Sequence, residues 1–250
     1  MDKAFLETLL AFDRRPDSVR LRRRSYELLQ IEPGSRVVDV GCGAGTAVAE
    51  LAALGADAAG IDAAAEAVAY ARELHPDCRF EVGDAQQLPY PDQSLDGYRA
   101  EKLYHALEDP DKACAEARRV LAPGGRIVLV GQDWEFFAID SDDPHLTMTI
   151  VSASADDMRH GRVARRYRNL LLDTGFDDVT CEVHTAVFTD PELALFTATR
   201  LATGAVRAGV VSEAQAARWL DDQRRRADQD RLLFAFPLFL AAGRRAVTPS

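Results

Sequence analysis

Cysteine is scarce and scattered. Cys42, Cys78, Cys114 and Cys181 form no CxxC pair and stand apart from the histidines, so the spacing spells neither a zinc ribbon nor a disulfide framework. A chain of 250 residues can bury a core without disulfide staples, and reduced thiols in a cytoplasmic protein are the expectation. Long apolar runs are missing too. No stretch reaches the roughly 18 uncharged apolar residues of a membrane span, and acids interrupt the opening "MDKAFLETLLAFDRRPD", unlike a signal peptide. Basic excess is also absent: 30 Lys+Arg face 40 Asp+Glu, for a formal charge of -10. Such a field repels nucleic acid and anionic membranes, so the expected partner is a small molecule, and the expected assembly a monomer or homodimer. With no metal-spaced cluster, no GxSxG and no internal repeat, a metal-free reaction is the default.

What is present begins with alternation. After two segments of helical apolar spacing (3–12 and 17–30), "EPGS" breaks the chain. Runs rich in β-branched residues then alternate with Ala-rich helical ones: strand 36–40, helix 45–54, strand 57–61, helix 64–74, strand 78–82, strand 95–99, helix 110–121 and strand 126–131. Repeated βα units with short connections predict a parallel, doubly wound α/β sheet. Beyond 131 the rhythm changes to helical 146–159, helix 162–174, a strand near 178–187, helical 191–207 and 212–227, and an apolar stretch at 231–243. The dense charge runs "RLRRR" and "RRR" read as solvated helix faces, with contact of Arg22, Arg23 or Arg24 to an anion as the alternative.

"VVDVGCGAGT" at 37–46 carries the chemistry. An apolar run fits a strand covered on both faces, and three glycines behind it let the backbone turn sharply and approach a ligand, with helix-start amides as donors. A bare turn would need fewer glycines and would not explain Asp39 inside the strand. Asp62 lies 62 − 41 = 21 residues after Gly41, at the tip of the second strand, where an acid accepts hydrogen bonds from ribose hydroxyls. This also fits a nicotinamide cofactor, although GxGxG is not GxGxxG. The third strand ends at Asp84 and Ala85, where an adenine ring is expected to lie against Leu88.

Taken together, "VVDVGCGAGT", "GIDAA", "GDAQQLPYPDQSLD" and "EARRVLAPGGRIVLV" resemble, in order over roughly 33–131, a class I S-adenosylmethionine-dependent methyltransferase of the small-molecule branch. The resemblance implies a seven-stranded, mostly parallel Rossmann-like sheet and S-adenosylmethionine as cofactor, with S-adenosylhomocysteine as product. It implies cofactor contacts from Asp39, Gly41, Cys42, Gly43, Gly45, Asp62, Ala63, Asp84, Ala85, Gln86 and Arg99, with Asp62 on the ribose and Asp84 at the adenine amino group. Asp39 is matched to the acid that orients the loop and often reaches the methionine amino group. "APGG" at 122–125 matches the family's turn into the fifth strand, Pro123 stopping the helix and the glycines permitting reversal.

Acceptor chemistry is expected after strands four and five, in "RAEKLYHALEDP" and "GQDWEFF". His105 is a base candidate, although many relatives place a histidine where this chain has Ala106; Asp133 and Glu135 are alternatives. Tyr26, Tyr104, His105, Trp134 and Phe137 are the expected acceptor pocket. No "NPPY"-like tetrapeptide follows strand four, which argues against nucleic-acid amines. The expectation is one methyltransferase domain: an N-terminal helical cover (1–32), a cofactor core (33–131) and a substrate-side half (132–250) with a helical insertion about 190–227. It would methylate a small, partly apolar metabolite on O, N or C. The alternatives are a cyclase or isomerase on the same fold, a non-catalytic cofactor binder, or an NAD-dependent oxidoreductase.

Overall fold

The computed structural model describes residues 10–247, and the helix expected over 3–12 lies outside them save for 10–12, which are helical. The chain divides into two compact units. Unit 1 comprises residues up to Gly131, then Arg166–Glu182, then the chain from Phe239; unit 2 comprises Gln132–Arg165 and Val183–Leu238.

Unit 1 is built on β1 (Arg36–Val40), β2 (Asp57–Asp62), β3 (Arg79–Val82), β4 (Leu95–Glu101) and β5 (Leu121–Gln132), interleaved with α1 (Pro16–Leu29), α2 (Thr46–Ala53), α3 (Ala65–Leu74) and α4 (Pro110–Val120). The strand order begins β3-β2-β1-β4-β5, with all four of these pairings parallel. Because β1 neighbours both β2 and β4, the order reverses beside it, and in such sheets ligands bind outside the strand tips at that point. Val37 to Val40 are all buried, as a central parallel strand requires.

Helix α4 shows how local sequence sets an element. Asp109 caps it by accepting from Lys112 N at 2.9 Å, Pro110 starts it, and Ala113, Cys114, Ala117 and Val120 form its buried stripe. It ends at Val120, before Pro123 can act. "APGG" instead makes a bulge inside β5: Leu95 pairs with Leu121 but Gly97 with Arg126, and Gly124 takes up the irregularity at φ +84°.

The later strands are β6 (Ala138–Ile139), β7 (Phe176–Phe188) and β8 (Phe234–Arg245), so the apolar 231–243 stretch forms a strand and the sheet holds eight strands among the described residues. The two-residue β6 lay below the length at which alternation is readable. It pairs antiparallel with the start of β8, Ala138 opposite Ala235, while β7 and β5 both pair with β8.

In unit 2, α5 (Pro144–Asp156), α7 (Pro191–Arg207) and α8 (Glu213–Asp228) pack together; the short α6 (Tyr167–Asp173) belongs to unit 1. Asp143 and Asp190 cap α5 and α7 ahead of their prolines, and Ser212 with Gln215 makes a capping box on α8. Trp219 is buried between them and donates from Nε1 to Thr147 Oγ1 at 2.8 Å, which satisfies its one polar atom.

Candidate functional site

At the tip of β1, Gly41, Gly43 and Gly45 all hold left-handed backbone, at φ +73°, +52° and +81°. Such angles strain any residue with a Cβ, so the glycines are what permits the turn. Their surroundings differ. A Cβ on Gly41 would meet Leu103 at 3.0 Å and one on Gly45 would meet Phe80 at 2.5 Å, whereas one on Gly43 would meet nothing within 4 Å. Gly41 and Gly45 are therefore packed against protein, and Gly43 faces open space. Helix α2 then starts without a side-chain cap, leaving the positive end of its dipole to a ligand.

Asp62, at the tip of β2, fixes this loop. Its Oδ2 accepts from Gly43 N and its Oδ1 from Ala64 N, both at 2.9 Å, yet the side chain stays half-buried. Each oxygen keeps acceptor capacity for a hydroxyl. Ala63 is exposed beside it. Cys42 contributes differently: its amide donates to Ile61 O, and its thiol lies against β2, where a Cβ on Gly60 would come within 2.8 Å of Sγ. Burial raises the thiol pKa, so Cys42 is packing rather than a reactive group.

Beyond β3, Asp84 Oδ1 accepts from Gln86 N at 2.9 Å in a local turn, and the residue remains exposed. Gln86 Oε1 accepts from Asp109 N at 3.1 Å and ties the turn to the start of α4, while Ala85 and Leu88 are buried. The Gly43 opening, the uncapped helix, the half-buried Asp62 and the exposed Asp84 fit a nucleoside cofactor with hydroxyl and amino donors.

Asp39 and Arg99 sit deeper than expected. Arg99 donates from Nη1 to Asp39 Oδ1 at 2.7 Å, from Nε to Ser25 Oγ at 2.9 Å and from Nη2 to Glu101 Oε2, with both Asp39 and Arg99 at 3% exposure or less. Burial opposes the Arg99 charge, but the Asp39 and Glu101 carboxylates outweigh it and raise its pKa. Burial also works against Glu101, yet Lys102 and Arg99 hold that carboxyl down at about 2. The network extends outward: Lys102 Nζ lies 3.2 Å from Asp13 Oδ1 and 3.0 Å from Glu101 Oε1. Arg22 donates twice to Glu50 at 2.7 Å, and Tyr26 OH donates to Glu50 Oε2 at 2.8 Å. The first role of this chain of charges is to bind α1 to the tips of β1 and β4.

Three expectations are corrected here. Arg22 is no solvated charge but a buried partner of Glu50, and Tyr26 is buried beneath the Arg99 guanidinium, 5.6 Å from its ring centroid. Tyr104 is fully buried, its hydroxyl 3.3 Å from that of Tyr98 and its ring edge-on to Tyr167 at 5.8 Å. Both tyrosines are core rather than pocket wall. His105 lies half-buried in the turn after β4.

In unit 2, Asp133 is fully buried and taken up by Arg165, which donates from Nη2 to Oδ1 at 2.8 Å and from Nε to Oδ2. Glu135 accepts from Arg162 at 2.6 Å and Arg165 at 3.0 Å, and these partners, Arg162 foremost, depress its pKa to about 2. With its pKa held that low, Glu135 is a poor proton acceptor near neutrality. The aromatics of the same segment do assemble: Trp134 stacks on Phe137 at 5.9 Å, Phe137 on Phe236 at 4.9 Å, and Phe188 tilts against Phe236 at 5.0 Å. Phe136 stays outside the stack, 60% exposed. Sequence reasoning missed Phe236, Ser25 and Glu50, since each acquires its role from a partner more than 20 residues away, and Glu101, whose pairing with the nearby Arg99 and Lys102 carries no motif.

Among the described residues no helix is long and apolar enough to cross a membrane, and no group of His, Cys, Asp and Glu could hold a metal.

Comparison with known proteins agrees with this geometry. A family model described as a methyltransferase domain matches residues 38–129. An uncharacterized 37.1 kDa protein in transposon TN4556 of Streptomyces fradiae is 35% identical over 212 residues, covering 79% of this chain and 61% of that protein. A demethylmenaquinone methyltransferase of Renibacterium salmoninarum is 34% identical over 110 residues, covering 44% of this chain and 46% of the enzyme. The chain thus spans less than two thirds of the length of these curated relatives. The crystal structure of the YcgJ protein of Bacillus subtilis superposes with a TM-score of 0.63 at 18% identity, covering 91% of this chain and 98% of that one, a likeness of fold. Residues 38–129 thus match a methyltransferase domain, and the relatives and solved structures support a class I S-adenosylmethionine-dependent methyltransferase with S-adenosylmethionine as its cofactor.

Proposed function

We propose that this protein transfers the methyl group of S-adenosylmethionine to a small, partly apolar metabolite and releases S-adenosylhomocysteine. The observation that carries this reading is the β1 loop, in which Gly43 faces open space while Asp62 pins its amide. Asp62 would accept from the ribose hydroxyls, Asp84 would meet the adenine amino group, and Ala85 and Leu88 would line the ring. Arg99, saturated by Asp39, Glu101 and Ser25, would act by holding the loop's strand rather than by touching the cofactor. Asp39 would act the same way.

When bound, the cofactor supplies an electrophilic methyl for in-line displacement, so this chain's contribution is alignment and exclusion of water. Residues of unit 2, foremost Trp134 and Phe137, would hold the acceptor, and the demethylmenaquinone methyltransferase likeness supports a small-molecule one. With Asp133 and Glu135 tied to arginines, His105 is the better base candidate where the acceptor must lose a proton. The acidic balance disfavours nucleic-acid partners, and the scattered cysteines suit a cytoplasmic enzyme.

The test is incubation of the full chain with isotopically methyl-labelled S-adenosylmethionine and a metabolite extract, followed by mass spectrometry. Labelled product with stoichiometric S-adenosylhomocysteine is the expected result. Product formed without S-adenosylhomocysteine would replace transfer by a cyclisation or rearrangement on the same fold.

A further inference from the structure

Resting on the reading that unit 2 holds the acceptor, one residue outside the expected set stands out. Gln132 ends β5, two residues past Val130, which pairs with Glu101 on the neighbouring strand. Strand tips of this sheet type are where ligands are met. Gln132 is only 8% exposed, and its Oε1 makes no hydrogen bond among the described residues. Nine in ten buried polar groups have a partner, so a strand-tip carboxamide oxygen without one calls for an explanation. Gln223, buried in the same unit, also has an unpartnered Oε1, but its Nε2 donates to Asp140 O at 3.1 Å, which anchors it structurally.

The other half of the argument is the stack that begins two residues on. Trp134, Phe137 and Phe236 lie within 30° of parallel in succession, and all three are half-buried, so they keep partly open flat surface. A stack of this kind favours a planar ring by area and by its quadrupole. The neighbouring carboxylates, Asp133 and Glu135, spend their acceptor capacity on Arg165 and Arg162. The Gln132 oxygen is left as the uncharged acceptor of this segment.

We propose that Gln132 is a specificity residue: its Oε1 accepts a hydrogen bond from an O–H or N–H borne by a planar aromatic acceptor that lies against the Trp134, Phe137 and Phe236 rings. The ligand class is therefore a hydroxylated or amino-substituted aromatic ring. A buried acceptor that goes unpaired with the wrong ligand rejects that ligand, which is how a single carboxamide sets selectivity.

The experiment uses the full chain saturated with S-adenosylhomocysteine and three probes, 2-naphthol, 2-methoxynaphthalene and naphthalene, titrated by calorimetry. The wild type binds 2-naphthol about tenfold more tightly than either probe that lacks a donor. Gln132→Met, close in shape but without the acceptor, loses that preference while its S-adenosylhomocysteine affinity is unchanged. Gln132→Glu, which keeps an acceptor oxygen, retains the preference and serves as the reference should the Met variant fold poorly. Equal binding of the three probes by the wild type, or a preference that persists in Gln132→Met, overturns the proposal. Failure of the methyltransferase reading shows separately, as absence of S-adenosylhomocysteine binding by the wild type.

Discussion

Replacing Gly43 or Gly45 by alanine separates the loop's binding role from its structural one. Both residues hold left-handed backbone, so each alanine costs about 1–2 kcal/mol in conformational strain. At Gly43 that is the whole cost, because the added methyl meets nothing within 4 Å. At Gly45 the methyl would lie 2.5 Å and 2.7 Å from two Phe80 ring carbons and 3.1 Å from Ala71 Cβ. Phe80 is 3% exposed and has no room to retreat, so overpacking adds about 1–3 kcal/mol. At about 2–4 °C per kcal/mol for a chain of this size, Gly43→Ala lowers the melting midpoint by about 2–8 °C and Gly45→Ala by about 4–20 °C. Cofactor affinity runs the other way. The Gly43 methyl occupies the space proposed for the ligand and weakens S-adenosylhomocysteine binding by about tenfold or more, whereas Gly45→Ala, assayed below its own midpoint, loses less. Differential scanning fluorimetry and calorimetric titration of the same samples read both quantities. Gly43→Ala with affinity within twofold of wild type, or Gly45→Ala as stable as Gly43→Ala, would refute the reasoning.

Two further outcomes follow from the charge network. Arg99→Leu leaves Asp39 buried without its cation and Glu101 with Lys102 alone, and destabilises unit 1 by about 3–5 kcal/mol, read as a fall in urea midpoint; adding Asp39→Asn recovers part of the loss, and an unchanged midpoint would show that the pair carries no structural burden. Glu101 has its folded pKa depressed to about 2 from 4.5, so its stabilisation is present above about pH 4.5 and is lost as pH falls toward 2. Urea midpoints across that window therefore drop more steeply in wild type than in Glu101→Gln; parallel curves would contradict the assignment.

Much of the first half was legible because its signals are local. Strand β1, helix α3 and the Asp62 tip follow from apolar runs, alanine-rich periodicity and glycine spacing, and the structure puts them within a residue of expectation. Where the reading failed, a distant partner decided. Arg22 looked like a solvated charge because nothing near it in sequence reveals Glu50, and Tyr26 looked available because its Glu50 bond is equally remote. Asp39 was visible as an anomaly within an apolar strand, but not the arginine 60 positions on that occupies it. The Asp133 and Glu135 carboxylates looked free for the same reason, their arginines lying about 30 residues downstream.

The claim on which the account rests is that the glycine loop and the tips of β2 and β3 grip one nucleoside cofactor. Calorimetric titration of S-adenosylhomocysteine into wild type, Asp62→Ala and Asp84→Ala measures that directly. Binding on the order of micromolar that falls about tenfold in each variant, with the Asp84→Ala melting midpoint little changed, is the predicted result. No binding by wild type, or full affinity in both variants, would contradict it.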